Sequence, residues 1–272
     1  MTIAPLLLAL SLAAEPVAFV AVAPGYPGTT AEAQSSMDAF AAALAAQAGW
    51  PPGSVTAAYY EKDKAGLERL QKGDVAVAML TLPFFLQNAA VLKLEPRLVA
   101  AQKAGTTEVW SLVAKKGRLA GAAGLDGWQI YSLAGYAPAF VKGPVLGAWG
   151  RIPDSTKIVQ GTQVLSALRK AVTGENVAVL LDGEQGAALA SLPFASDLEV
   201  VARSAPLPTG ILATVGSRLP ADRWKALDAA LRNIGSTPAG AAALEAIRMQ
   251  GFVPLDGTAL TAARKAYDAA SR

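Results

Sequence analysis

The side chains that could carry out chemistry in this chain are carboxylates, tyrosines and lysines, because its 272 residues include no Cys and no His. Without Cys there is no disulfide and no thiolate nucleophile. Without His the chain lacks the usual general base and the commonest metal ligand. Ser-His-Asp hydrolases, Cys-His hydrolases and His-ligated metal sites are therefore excluded. We expect no metal and no cofactor, and the composition favours a binding protein over an enzyme.

A set of polar and aromatic residues in or near predicted turns forms a candidate ligand-binding site with no Arg in it. A dianion requires bidentate Arg or several donors, so the set favours a neutral or largely apolar ligand. Its polar group would meet Glu61, Gln163 or Asp182. Purely structural roles stay open for some members, since Tyr59, Tyr60 and Phe84 could pack in a core and Asp182-Gly183 is a good turn dipeptide. The candidate residues are Tyr26, Tyr59, Tyr60, Glu61, Thr81, Phe84, Gly135, Tyr136, Gln163, Asp182, Gln185 and Leu207.

The elements that must position these residues alternate between short apolar strands and amphipathic helices, which is typical of α/β layers. The order strand, turn, helix runs through residues 17–110 and again through 120–200. Extended crossings near 113–118 and 203–210 would join two lobes and leave a cleft between them. Ligands of open α/β sheets bind beyond the carboxyl ends of strands, so the turns that follow the strands are expected to face this cleft.

The predicted domains are a first lobe, residues 15–113 plus 207–272, and a second lobe, residues 114–206. Residues 1–14 are predicted to be a signal peptide, because the apolar run in 3–14 is too short to span a bilayer. No basic residue precedes this run, and a core strand is the alternative. The expected location is the periplasm, as an exported soluble protein.

The charge of the chain predicts no nucleic-acid partner. A formal net charge of +3 is mild, and the densest basic stretches, 115–118 and 169–170, lie in apolar surroundings. Nucleic-acid binders gather such residues on one face.

Several segments, in order and spacing, resemble the periplasmic solute-binding proteins of the phosphate/phosphite/phosphonate type, which serve ABC importers. They are a helix, Gly, Asp and apolar strand (66–80), a strand pair (105–114 with 125–131), a helix-to-strand unit ending in Asp (163–185), an S-x-P-x-P crossing (203–215) and a G-F-x-P close (251–254). The resemblance implies a two-lobed type 2 periplasmic-binding fold, in which each lobe is a mixed sheet flanked by helices. It also implies a small-molecule ligand in the interlobe cleft and a membrane permease as partner.

One turn departs from the pattern of this family. Its phosphonate binders place a Ser/Thr-Ser-Gly turn at a helix N-terminus after the first strand of the second lobe, where hydroxyls and backbone N–H groups hold the anion. Here the turn reads Leu133-Ala134-Gly135-Tyr136. The ligand could therefore be apolar and lipid-like, such as a sterol, as in a branch of this family, or a phosphonate-like oxyanion. A cofactor-independent small-metabolite enzyme on the same fold, or a ligand-sensing accessory protein of a membrane receptor, are the alternative functions.

Overall fold

The computed structural model describes residues 15–272, so the predicted signal peptide, residues 1–14, lies outside the described residues. The strands are β1 (Val17–Val22), β2 (Val55–Tyr60), β3 (Val75–Thr81), β4 (Leu94–Ala101), β5 (Thr107–Glu108), β6 (Ser111–Lys115), β7 (Gln129–Ser132), β8 (Lys157–Gln160), β9 (Val177–Leu181), β10 (Leu198–Arg203), β11 (Leu207–Pro208), β12 (Gly210–Val215) and β13 (Gly251–Pro254). The α-helices are α1 (Thr30–Gln47), α2 (Asp63–Gln71), α3 (Leu82–Asn88), α4 (Pro138–Phe140), α5 (Val164–Thr173), α6 (Gly183–Ala188), α7 (Ala221–Asn233), α8 (Pro238–Ala246) and α9 (Gly257–Ala270).

The first lobe is built on a six-stranded mixed sheet in the order β13-β4-β12-β3-β1-β2. β1 pairs in parallel with β2 and β3, and β12 pairs antiparallel with β3 and β4. β1 and β12 are buried along their whole length because both faces of the sheet are covered, which explains their continuous apolar sequences. On one face of the sheet, Phe40 of α1 packs edge to face against Phe19, with the ring centroids 5.1 Å apart.

The second lobe is built on a five-stranded mixed sheet in the order β10-β6-β9-β7-β8. The short strands β5 and β11 run between the two sheets and pair with each other, with Glu108 opposite Leu207. The predicted fold class is confirmed: an α/β protein with two lobes, each a mixed sheet flanked by helices.

The first crossing lies earlier in the chain than its sequence indicates. It was expected at residues 113–118, but Val113 lies inside β6 and is fully buried in the second sheet, so β5 makes the crossing. The sequence predicts that the stretch 125–131 leads into a strand. In the structure a 3-10 turn over Ala122–Leu125 comes first, and strand β7 begins only at Gln129. Gly124 and Gly127 flank the end of this turn and interrupt the strand pattern.

The C-terminal helix α9 has no counterpart in the sequence-based prediction and packs against the second lobe, although its residues fall in the predicted first lobe. It contacts α4 and the π-helical turn Val141–Val145. A Cβ on Gly143 would lie 2.3 Å from the carbonyl oxygen of Ala266, so only Gly permits this approach. Leu260 and Ala263 of α9 belong to a core cluster with residues of both lobes, including Phe84 and Phe140.

A candidate ligand-binding cleft between the lobes

Side chains that follow strands of the two sheets meet directly between the lobes. The Tyr26 hydroxyl, after β1, donates a hydrogen bond to Oδ2 of Asp182, after β9, at 3.0 Å. The hydroxyls of Thr81, at the end of β3, and Tyr136, in the 3-10 turn after β7, are 3.0 Å apart. The carboxyl ends of parallel strands thus converge on one cleft, as the rule for open α/β sheets requires.

Gly25 lets the two lobes approach closely beside these contacts. Its φ of +84° lies in the left-handed region, which favours Gly. A Cβ there would also lie 3.3 Å from both the side chain and the carbonyl oxygen of Leu133 in the second lobe. Any larger residue at this position would strain the turn and push on the opposite lobe.

Two carboxylates converge on the start of α6. Asp182 is its N-cap, and its Oδ1 accepts a hydrogen bond from the backbone N–H of Gln185 at 2.8 Å. Glu108, on the crossing strand β5, accepts one through Oε2 from the N–H of Gly183 at 3.0 Å. A Cβ on Gly183 would lie 2.8 Å from that of Glu108, so the close approach of crossing strand and helix depends on this Gly.

The gap between the lobes is closed. Its walls leave no room for a water molecule. The walls are formed by Pro24, Tyr26, Thr81, Pro83, Glu108, Trp110, Leu133, Ala134 and Tyr136.

An open mouth adjoins this gap, and Tyr26 lines both. The mouth has a volume of about 310 Å³. It is lined by Gly25, Tyr26, Glu61, Lys62, Asp63, Gln160 and Thr162.

The cleft disfavours negative charge. Burial raises the pKa of Glu108 from 4.5 to about 7, helped by the charge of Asp182 and opposed by the Gly183 N–H. Burial also raises the pKa of Asp182, which is only 2% exposed, against its hydrogen bonds to Gln185 and Tyr26. Burial, followed by the charge of Asp182, raises the pKa of Tyr26 well above its usual value. Among the ion pairs of residues 15–272, none involves Glu108 or Asp182.

Five of the predicted site residues lie at the gap or its mouth. Tyr26, Thr81, Tyr136 and Asp182 meet between the lobes, as described above, and Glu61 lies at the mouth. Oε2 of Glu61 accepts hydrogen bonds from the backbone N–H and the hydroxyl of Thr30 at 3.1 and 2.9 Å. Hydrogen bonds from its own backbone and from Thr30 lower its pKa. Glu61 therefore also anchors the start of α1.

Other predicted residues lie in the packing of the lobes. Phe84 is 1% exposed in the core. Tyr59 packs against the α1 side of the first sheet, and its hydroxyl donates to the carbonyl oxygen of Ala23 at 3.4 Å. Tyr60 packs against the core cluster that the lobes share. Both tyrosines end β2, the edge strand of its sheet, which displaces them from the centre of the cleft.

The remaining predicted residues serve local structure. A Cβ on Gly135 would lie 2.4 Å from the backbone of Val159, so Gly135 packs inside its own lobe. Leu207 is buried in the crossing strand β11. Gln163 is exposed, and Gln185 completes the capping box with Asp182 at α6.

The sequence-based set missed Glu108, Trp110 and Leu133. Glu108 lies on the crossing strand β5, and Trp110 lies just after it. The sequence predicts this crossing farther along the chain, at 113–118. The sequence signal for Glu108 was its carboxylate, which lies shortly before the apolar strand β6. Leu133 belongs to the turn in which a hydroxyl residue was sought.

The described residues contain no group of His, Cys, Asp and Glu that could hold a metal ion. In residues 15–272, no helix has the length and apolar character needed to cross a membrane.

Part of the chain matches a known protein family. Residues 166–260 match the family model described as ABC transporter, phosphonate, periplasmic substrate-binding protein. A search of curated proteins finds no matching sequence.

Solved structures match over most of the chain at low sequence identity. XAC2383 from Xanthomonas citri, bound to ATP, is 15% identical, with a TM-score of 0.71 over 94% of this chain and 98% of its own. The binding-protein component of an ABC phosphonate transporter, PA3383 from Pseudomonas aeruginosa, is 13% identical, with a TM-score of 0.66 over 94% and 87%. PhnD1 from Prochlorococcus marinus, in complex with methylphosphonate, is 13% identical, with a TM-score of 0.59 over 92% and 98%. The resemblance seen in the sequence is confirmed: the chain is similar to the phosphonate-type periplasmic substrate-binding proteins of ABC transporters and has their two-lobed type 2 fold.

Proposed function

We propose that this protein is the periplasmic substrate-binding component of an ABC-type importer. It binds one small molecule between its lobes, and a membrane permease recognises the closed form. Exported residues 15–272 would be the working protein, with residues 1–14 removed as a signal peptide. The ligand would contact Tyr26, Thr81, Tyr136, Asp182 and Glu108.

The observation that carries this proposal is the direct pairing of strand ends across the lobes. Tyr26 and Asp182 come from different sheets and share a hydrogen bond, while β5 and β11 connect the sheets. Such an arrangement permits hinge motion about the crossings, a known way in which proteins close around a ligand. The side chains that hold the lobes together are then the ones that a ligand would contact.

Thermal unfolding in the presence of small solutes tests this proposal. The panel contains phosphate, methylphosphonate, choline, agmatine and solubilised cholesterol. A compound that binds only the folded protein adds about 2.7 kcal/mol at 100 times its dissociation constant. Trp110 lines the gap, so its fluorescence should change on binding.

Matched tyrosine variants locate the binding. Tyr26→Phe removes the hydroxyl at the cleft, whereas Tyr131→Phe removes one that bonds to Gln129 within the second lobe. We expect weaker binding only for Tyr26→Phe. Equal affinities for the two variants, or no stabilisation by any compound, would count against the proposal.

One observation favours an enzyme as a second candidate. The pKa of Glu108 is about 7, which suits a general base near neutral pH. Incubation of the protein with each bound compound, followed by mass spectrometry, tests this: unchanged compound supports binding alone, and a Glu108-dependent product supports the enzyme.

A further inference from the structure

The ionisable side chains around the interlobe cleft are mostly acidic, and this bears on the ligand that the proposed function leaves open. Glu108 and Asp182 lie at the gap, and Glu61 and Asp63 lie at its mouth, where Lys62 is the one cation among the lining residues. A phosphonate entering the cleft would meet these acidic side chains without a bidentate Arg to hold it.

Three of the backbone donors that could hold an anion here are already occupied. At the start of α6, Glu108 accepts from the N–H of Gly183 and Asp182 accepts from that of Gln185. In the turn after β7, Ser132 Oγ accepts from the N–H of Ala134 at 3.2 Å. These turns are where an oxyanion would find its donors, and the protein's own acceptors take up these three N–H groups.

Acceptor capacity, in contrast, remains available. An ionised carboxylate offers about four lone-pair positions. Glu108 accepts hydrogen bonds from the Gly183 N–H and the Trp110 side chain, and Asp182 accepts them from Tyr26 and from the N–H groups of Glu184 and Gln185, so each carboxylate keeps an unused position. A ligand that donates several hydrogen bonds would therefore be complementary to the two carboxylates.

The aromatic walls favour the same kind of ligand. Tyr26, Trp110 and Tyr136 line the gap beside Glu108. Aromatic faces attract organic cations, and the attraction grows when the cation is removed from water. Once the lobes part enough to admit a cation, these walls would surround it and exclude water.

We propose that the cleft binds a small organic cation, an amine or a guanidine, between Glu108 and Asp182, and excludes phosphonate dianions. This inference rests on the proposed function. The positive charge compensates the two buried carboxylates when the lobes close. Tyr26 and Trp110 pack against the apolar part of the ligand. Glu108 is then a specificity-determining residue that the sequence motifs do not indicate.

Isothermal titration of the protein at pH 8 with choline, agmatine, arginine, methylphosphonate and phosphate tests this inference. We expect at least one of the three cationic compounds to bind with one site per chain and neither anion to bind. Glu108→Gln and Asp182→Asn should each weaken that binding at least tenfold. The control is Glu199→Gln, since Glu199 also accepts a backbone N–H, from Gly117, but lies at the far edge of the second sheet.

The outcomes separate this inference from the proposed function. Binding of methylphosphonate or phosphate, unchanged or tighter in Glu108→Gln, overturns the inference and leaves the substrate-binding function in place. Binding of a cation with equal affinity in Glu108→Gln and Glu199→Gln also overturns it. Absence of binding by all three cations overturns it too. If cholesterol and both anions then also fail to bind, the proposed function fails with it.

Discussion

Protonation of Glu108 should make this protein more stable at mildly acidic pH than at alkaline pH. Its pKa is raised from 4.5 to about 7, mainly by burial at the closed gap. The folded protein therefore holds this proton more tightly than the unfolded chain does. The resulting stabilisation is fully present below about pH 4.5, relative to alkaline pH, and is lost as the pH rises through about 7.

The expected size of this effect follows from the two pKa values. Between pH 5.5 and pH 8, the free energy of unfolding should fall by about 2 kcal/mol. For a chain of this size that corresponds to a decrease in Tm of roughly 4–8 °C. The pKa of Asp182 is raised as well, so its contribution has the same sign.

Few other groups can produce a titration in this range. The chain has no His, and the lowered pKa values of Glu61 and Asp74 affect stability only at more acidic pH. Urea unfolding, followed by Trp fluorescence from pH 5.5 to 8, measures the effect in the wild type, Glu108→Gln and Glu199→Gln. Glu108→Gln should lose most of the pH dependence. A wild-type stability that is constant or rises with pH, or a Glu108→Gln variant with undiminished dependence, would refute this reasoning.

Two packing predictions can be measured by the same urea unfolding. Tyr26→Phe leaves a buried acceptor without its donor and should cost about 1–2 kcal/mol; a loss no larger than that of the within-lobe control Tyr131→Phe would contradict the described contact between lobes. Gly143→Ala should cost about 1–3 kcal/mol by overpacking against α9, whereas Gly73→Ala, with nothing within 4 Å of its Cβ position, serves as control. Equal stability of these two variants would mean that α9 does not pack on the second lobe as described.

Elements with strong local patterns could be predicted from the sequence. The sequence predicts strands over 177–181 and 198–203, because turn residues flank both apolar stretches, and β9 (Val177–Leu181) and β10 (Leu198–Arg203) have these bounds. Helix α9 escaped prediction although Leu260 and Ala263, its two buried residues, stand three positions apart, as on one face of a helix. Its position depends on close backbone contact at Gly143, which no local pattern indicates.

Part of the candidate site could also be predicted from local sequence patterns. Tyr26, Thr81 and Asp182 lie at the carboxyl ends of β1, β3 and β9, so a rule about strand ends brings them to one cleft. Glu108 could not be placed, because its position depends on where the chain crosses between sheets, which long-range pairing of β5 with β11 determines. Whether the predicted residues contact a ligand stays a prediction.

The most direct test of the account is the distance between the lobes with and without ligand. The chain has no Cys, so spin labels can be attached at Glu68→Cys on α2 and Arg169→Cys on α5, both exposed positions. Double electron–electron resonance would give the distance distribution for the free protein and for each compound of the panel. The account predicts that a bound compound shifts the distance distribution of the free protein to a new, single interlobe distance. One unchanged distance under all conditions, despite measured binding, would contradict it.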